Sequence, residues 1–392
     1  MILRGAVLAV ALGGLVLPIA AGLAQTAGAA LGRMPVLGLG GPTLDPLRRM
    51  LAEPGLLTAI RLTLTTGLGA TLGALALSVG FCAAVHARIT PARGARMLAP
   101  FLAAPHAAMA IGLAFLLAPS GWIARLLAPL AGWDLPPDLA TVGDPWGLAL
   151  TVGLMVKEAP FLLLAILTAL RQVPVRAQMA QGRSLGYGRG LVWIKVILPQ
   201  VWPMIRLPVM VVLAYGLSVV DMALILGPST PPTLAVLLTR AFADPDLMRL
   251  PSASAGALLQ LALVGVGLAG LLLAERLGKV AGRAWLRRGG RGLSSEPLLR
   301  LATALTLILM LAGALAMASL VAWSVAWRWP WPQVWPESLS LRAWSHFAGL
   351  TALANTLILA LATTALSLAL AIAWLQSESF RPRARRAEAL IW

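Results

Sequence analysis

Eight separate stretches of this chain are long and apolar enough to cross a membrane, and that pattern leaves few folds open. A spanning helix needs about 20 mostly apolar residues to cross a ~30 Å hydrocarbon core. The stretches run over 3–24, 56–85, 98–118, 146–170, 203–227, 254–275, 301–327 and 351–375, and a ninth starts near Ala389. Backbone polar groups in lipid must be satisfied internally, so only helices and closed barrels can span. Barrel strands are short and alternate in polarity, whereas these runs are continuously apolar. The reading is an all-α integral membrane protein with about eight transmembrane helices. Met1–Ala24, with Arg4 ahead of an apolar core and small residues near Ala21–Ala30, also fits a cleaved signal peptide. The seven stretches after it favour a retained helix.

Composition agrees. Hydrophobic residues are 59% of the 392, and charged residues are 11%. The net charge of +17 would suit a nucleic-acid partner in a soluble chain. Here it reads as orientation. With the N-terminus inside, segments 1–5, 86–97, 171–202, 276–300 and 376–388 hold 20 of the 31 basic residues. The outer loops 25–55, 119–145, 228–252 and 328–350 hold 8. That is the positive-inside bias, so a cytoplasmic N-terminus is expected and no nucleic-acid partner is. The basic segments also suit anionic membrane lipid.

The chain repeats itself. A shift of 293 residues lays Thr351–Leu370 over Thr58–Leu77 with nine of 20 positions identical, and lays Arg381 on Arg88 and Arg386 on Arg93. The same shift sets span seven on span one, as in the parallel repeats that transporters carry. The expected organisation is a first module of six spans over 1–280, a Gly- and Arg-rich linker over 281–300 containing Gly289-Gly290, and an incomplete second module over 301–392. By the same offset a parent chain would carry about 170–180 further residues.

Loop 171–202 is too long for a tight turn. Helix-compatible segments flank Gly186-Tyr187-Gly188, and Pro199 suits the first turn of the following span. The spacing predicts a short helix, a glycine turn, a second short helix and then span five, with apolar Leu185, Leu191, Trp193 and Ile194 presented at the surface. The pattern reads Ala180-Gln181-Gly182, three residues, Gly186, nine residues, then Val196-Ile197-Leu198-Pro199. This resembles the loop of the membrane subunits of binding-protein-dependent ATP-binding-cassette importers. Their pattern is Glu-Ala-Ala, three residues, Gly, nine residues, Ile-x-Leu-Pro. Gly186, Leu198 and Pro199 match, Val196 is a close aliphatic substitute, and Ala180 stands where the family has Glu. The fused layout and Pro231-Pro232-Thr233-Leu234-Ala235-Val236 are similar to the ferric-iron and thiamine-type permeases.

The resemblance implies a type I importer permease fold. It also implies an ATPase-coupling surface made by Ala180, Gln181, Gly182, Leu185, Gly186, Val196, Leu198 and Pro199. The implied partners are a cytoplasmic ATP-binding-cassette ATPase, as a homodimer, and a periplasmic or extracellular solute-binding protein. The implied location is a bacterial inner membrane. The chain itself lacks a P-loop, which needs Gly-Lys followed by Ser or Thr. Its lysines are Lys157, Lys195 and Lys279, and only Lys279 follows a Gly, with Val280 next. An enzyme role is therefore not expected. An ATP-independent carrier or channel is the competing class, with loop 171–202 as a plain connector.

Ionisable residues inside spans are costly and count first as functional candidates. Lys157 and Glu158 fall in span four and Asp221 in the outer half of span five. Neighbours on a helix point about 100° apart, so Lys157 and Glu158 should find separate partners. Glu158 with Lys157 or Arg206, and Asp221 with a polar backbone site, are the pairings considered. Glu158 and Asp221 either line a path for a cationic solute or tie helices together; the residues alone favour the tie. Single Cys82 excludes an internal disulfide, and His86, His106 and His346 are too scattered for a metal set, so no metal or cofactor is expected. His near membrane boundaries reads as interfacial. Gly69 and Gly73 permit close helix packing. Trp323, Trp327, Trp329, Trp331 and Trp335 fit an interfacial aromatic belt.

Overall fold

The computed structural model describes residues 2–86, 89, 91–287, 290, 296–345 and 349–379. The ninth span at Ala389, the repeat matches Arg88, Arg381 and Arg386, and Gly289 and His346 lie outside the described residues. The fold is all-α. Eight helical segments are long and apolar enough to cross a membrane, and they correspond one to one with the eight expected stretches.

The chain opens with α1 (Ile2–Ala30), α2 (Asp45–Leu51) and α3 (Leu56–Val85), then α4 (Pro91–Ala103), α5 (His106–Leu117) and α6 (Trp122–Ala131). Next come α7 (Leu148–Ala169), α8 (Val175–Ser184), α9 (Arg189–Val192), α10 (Leu198–Ser218), α11 (Asp221–Leu226) and α12 (Leu234–Phe242). The remainder is α13 (Leu250–Arg287), α14 (Glu296–Val325), a small hairpin β1 (Ala326–Arg328) and β2 (Ser338–Leu339), α15 (Arg342–Ser345) and α16 (Leu350–Ser379).

The core is α3, α7 and α10, with α5 and α14 packed against it. Small residues set the distances. A Cβ at Gly73 would lie 2.8 Å from Met155 Cε of α7, and one at Gly67 would lie 3.0 Å from the Gly216 backbone of α10. The Gly69/Gly73 pair thus seats α3 on α7, the close approach that small residues permit. α7 starts where it does because Asp144 caps it. Its carboxylate accepts from the Trp146, Leu148 and Ala149 N–H groups at 3.2, 2.8 and 2.9 Å, satisfying donors that a helix start leaves open.

α14 crosses onto this same core. Ser319 Oγ donates to Gly112 O at 3.2 Å and Thr306 Oγ1 donates to Leu77 O at 3.3 Å. α1 instead lies outside, against α13 and α16. α16 starts 294 residues after α3.

Three expectations change. Stretches 98–118 and 203–227 are each broken into two helices, at Ala104-Pro105 and at Val219-Val220. The segment 281–287, read as linker, continues α13 without interruption. At 1.5 Å per residue the 38-residue α13 is about 57 Å long and projects well beyond a ~30 Å hydrocarbon core. The third concerns Trp193, expected at the surface of the loop: it is 1% exposed.

The tryptophans after α14 do more than line an interface. Arg125 of α6 sits between the Trp329 and Trp331 rings, 5.2 and 5.5 Å from their centroids. Its Nη1 donates to Pro330 O and Gln333 O at 2.8 Å, and its Nε to Ser120 O at 2.8 Å. Trp122 Nε1 donates to Val334 O at 3.0 Å. The hairpin is thereby clamped onto α6.

Candidate functional site

Two features gather the polar and exposed residues: the helix pair α8–α9 at one end of the bundle, and a polar chain at the two helix breaks.

α8 ends in a backbone motif that glycine makes. Gly186 has φ +81°, in the left-handed region. Its N–H donates to Arg183 O at 3.0 Å, and the Tyr187 N–H donates to Gly182 O at 3.0 Å. That pairing is a Schellman C-cap. Gly188 is extended and starts α9, which runs through a π-turn over Trp193–Ile197 into α10. The two arms touch at Gly182, where a Cβ would lie 2.4 Å from Val192 Cγ2. Gln178 and Gln200 close the other end by reciprocal amide bonds of 3.0 and 3.1 Å. Helix, glycine turn and second short helix are therefore as expected.

Of the residues singled out, Ala180, Gln181, Leu185, Gly186, Val196 and Pro199 are exposed, while Gly182 and Leu198 are half-buried. Leu185 is 62% exposed at the tip. Trp193 and Ile197 anchor the unit in the bundle. Trp193 packs edge-on to His86 with ring centroids 5.4 Å apart, and Arg189 Nη1 donates to Ala84 O at 3.2 Å. His86, just beyond α3, is held below its ordinary pKa by burial; Arg189 and Arg176 push the same way, and its bond to Cys82 O opposes them.

At the first break Pro105 supplies no N–H and disfavours helix at Ala104. The carbonyls at the end of α4 are left open, and Lys157 of α7 takes them. Its Nζ donates to Phe101 O, Leu102 O and Ala104 O at 2.7, 3.3 and 2.7 Å. A cation at a helix C-terminus also opposes the helix dipole.

Glu158, one residue on, turns away from Lys157. Its Oε1 lies 3.3 Å from His106 Nε2 at the start of α5. The His106 ring packs on Tyr215 of α10 at 4.5 Å, tilted 46°. Tyr215 Oη donates to Asp221 Oδ1 at 3.2 Å, across the second break. Glu158, His106, Tyr215 and Asp221 thus form one continuous chain over α7, α5, α10 and α11. Glu158 is buried, and the other three are half-buried.

The pairings differ from those considered above. Glu158 meets His106, and Asp221 meets a tyrosine side chain. Arg206 pairs with Glu275 at 3.9 Å. Asp221 opens the short α11 and does not lie inside a continuous span. Sequence reasoning missed His106 and Tyr215; the signal was Pro105 in mid-stretch, directly before the histidine. Among the described residues no group of three or more His, Cys, Asp or Glu side chains could hold a metal. Irregular backbone at membrane depth is tolerated where it is buried in protein or lines a cavity. Broken helices with facing polar groups are how transporters build solute sites.

No protein-family profile matches the chain. It is 29% identical over 334 residues to the inner membrane ABC transporter permease protein YnjC of Escherichia coli (strain K12). That alignment covers 85% of this chain and 59% of the relative, so the chain spans under two thirds of its length.

Proposed function

We propose that this chain is the membrane subunit of an ATP-driven importer. On this reading it forms the solute path and takes force from a separate ATPase through the loop 171–202. The observation that carries the proposal is the α8–α9 unit. It is a glycine-capped helix pair whose exposed face bears Ala180, Gln181, Leu185, Gly186, Val196 and Pro199. Its inner face is fixed to the bundle by Trp193 and Ile197. A rigid, protruding, partly apolar unit suits docking in a groove of a partner. The similarity to a permease and the lack of a P-loop support the same reading.

The further parts of the proposal follow from it. The motor is a cytoplasmic ATP-binding-cassette ATPase, as a homodimer, and a periplasmic or extracellular binding protein delivers the solute. The N-terminus lies inside, on the basic-residue bias. Residues 1–280 and 301–392 belong to two modules joined by 281–300. The start of α16, 294 residues after that of α3, supports the duplication. The solute is a small cation of the thiamine or iron type. Glu158 and Asp221 contribute two carboxylates at the breaks, and Lys157 is occupied by backbone carbonyls.

The test is co-purification with an ATPase from the native membrane. Wild type should retain it, and Gly186→Pro should lose it while the eight-helix fold persists. Unchanged retention in Gly186→Pro would remove loop 171–202 from the coupling role. A carrier working without ATPase is the second reading, favoured by the chain of titratable groups from Glu158 to Asp221. ATP-independent uptake by the chain alone in vesicles would establish it.

A further inference from the structure

A second feature lies beside α8–α9 and shares Leu198 and Pro199 with the proposed coupling surface. A groove of about 840 Å³ runs between α3, α10 and α13. Its floor is apolar, with Leu72, Leu75, Leu198, Trp202 and Leu271 along it. Its mouth is cationic. Lys195, Lys279 and Arg283 line it, and Arg206 stands beside it. Among the described residues the one carboxylate on the groove wall is Glu275, whose side chain is 9% exposed. It pairs with both Lys279 and Arg206. Four cations against one acid leave the mouth with net charge +3 on these residues.

The wall also carries two buried polar groups that face each other. The Trp202 Nε1–H faces the Glu275 carboxylate. Lys195 is held at the rim by the Trp285 ring, 4.5 Å from its centroid, and donates to Gly290 O at 2.7 Å.

We infer that this groove binds one anionic phospholipid, acyl chains on the apolar floor and phosphate at the Lys279–Arg283 mouth. Three properties select that occupant. The groove opens between helices long enough to span a bilayer. Its floor suits hydrocarbon. Its mouth attracts anionic headgroups, as basic pockets between transmembrane helices do. A phosphatidylcholine would bring its own quaternary cation to a mouth that is already positive. Lipid retention is read on the purified chain without an ATPase, so this inference and the coupling role fail separately.

Two glycines make the test clean. Gly278 and Gly282 line the groove, and a Cβ on either meets nothing within 4 Å. A large side chain there fills the groove without disturbing the helix contacts. The full chain is purified, and native mass spectrometry counts retained phosphatidylglycerol and phosphatidylcholine of matched acyl chains. Wild type should retain the anionic lipid about 10- to 30-fold over the neutral one, given roughly 1 kcal/mol for each of the two cations at the phosphate position, Lys279 and Arg283. Lys279→Gln with Arg283→Gln should bring the ratio near one. Gly278→Phe should lower retention of both lipids and leave the cations in place, and inorganic phosphate should not displace the lipid. Equal retention of the two lipids by wild type would overturn the inference. So would retention unchanged in both Gly278→Phe and Gly282→Phe, or displacement by inorganic phosphate alone.

Discussion

Lys157 and Ala104 meet at 2.7 Å, side-chain ammonium to backbone carbonyl, where Pro105 breaks the helix. The lysine is held by three carbonyls and takes the place of the N–H donors that the break removes. Lys157→Met should therefore act on stability. Buried carbonyls left without a donor cost about 1–3 kcal/mol each, so a total loss of roughly 2–4 kcal/mol is expected after local relaxation. Thermal unfolding of the purified protein reads it. A variant that keeps its melting temperature but loses uptake would instead make Lys157 a solute contact.

Glu158 should behave in the opposite way. Glu158→Gln keeps the volume and a hydrogen-bond acceptor toward His106, so folding should hold. If the carboxylate faces a cationic solute, uptake in reconstituted vesicles should fall at least ~10-fold, the loss of about 1.4 kcal/mol. Tyr215→Phe, which frees Asp221 of its O–H donor, should lower uptake by a similar factor. Intact transport in both variants would leave the chain from Glu158 to Asp221 as a structural tie.

Much of this was legible in the sequence and some was not, for physical reasons. The eight spans follow from hydropathy, because about 20 residues of apolar length is a coarse signal that survives local errors. The α8–α9 unit follows from spacing, because Gly186 is needed where φ is positive and Pro199 where a helix starts. The break at Ala104-Pro105 had a signal in Pro105 that hydropathy passes over, and the break at Val219-Val220 had none. A hydropathy window averages over two residues, and Val219 and Val220 are themselves apolar. The partner of Glu158 was hidden for the same reason. A continuous helix through 98–118 would not have made His106 the first residue of a helix. Trp193 looked like surface because loops usually are surface; the π-turn carries it inward.

The two loop glycines should separate by cause. Gly186→Ala puts a Cβ on a left-handed residue and should cost about 1–2 kcal/mol locally. Gly182→Leu drives a side chain into Val192 and should splay the two arms outright. In co-purification with the ATPase, Gly182→Leu should lose more than Gly186→Ala. The reverse order would mean that the turn, rather than the closed pair, is what the partner reads.

His86 sets an expected pH dependence. Burial holds its pKa below the ordinary 6.5, so near neutrality it is uncharged in both states. As pH falls below that value, the unfolded chain takes up the proton before the folded one. Stability is thus full above about 6.5, declines as pH drops through the window below it, and levels off beneath the folded pKa. His86→Gln should flatten this part of the profile, measured as melting temperature against pH. A profile unchanged by that substitution would place the titration elsewhere.

The Arg125 clamp yields the last expectation. Its guanidinium donates to Ser120, Pro330 and Gln333 carbonyls while lying between two indole rings. A lysine retains the charge but has neither the planar fork nor the stacking face. Arg125→Lys should therefore fail to restore what Arg125→Ala removes. The readout is limited proteolysis of the segment 326–339, which joins α14 to α15 and is tied to α6 through this residue and Trp122. Both variants should open the segment to cleavage, with α3, α7 and α10 still protected. Protection of the hairpin in Arg125→Lys would show that charge alone holds it, and protection in Arg125→Ala that the Trp122–Val334 bond suffices.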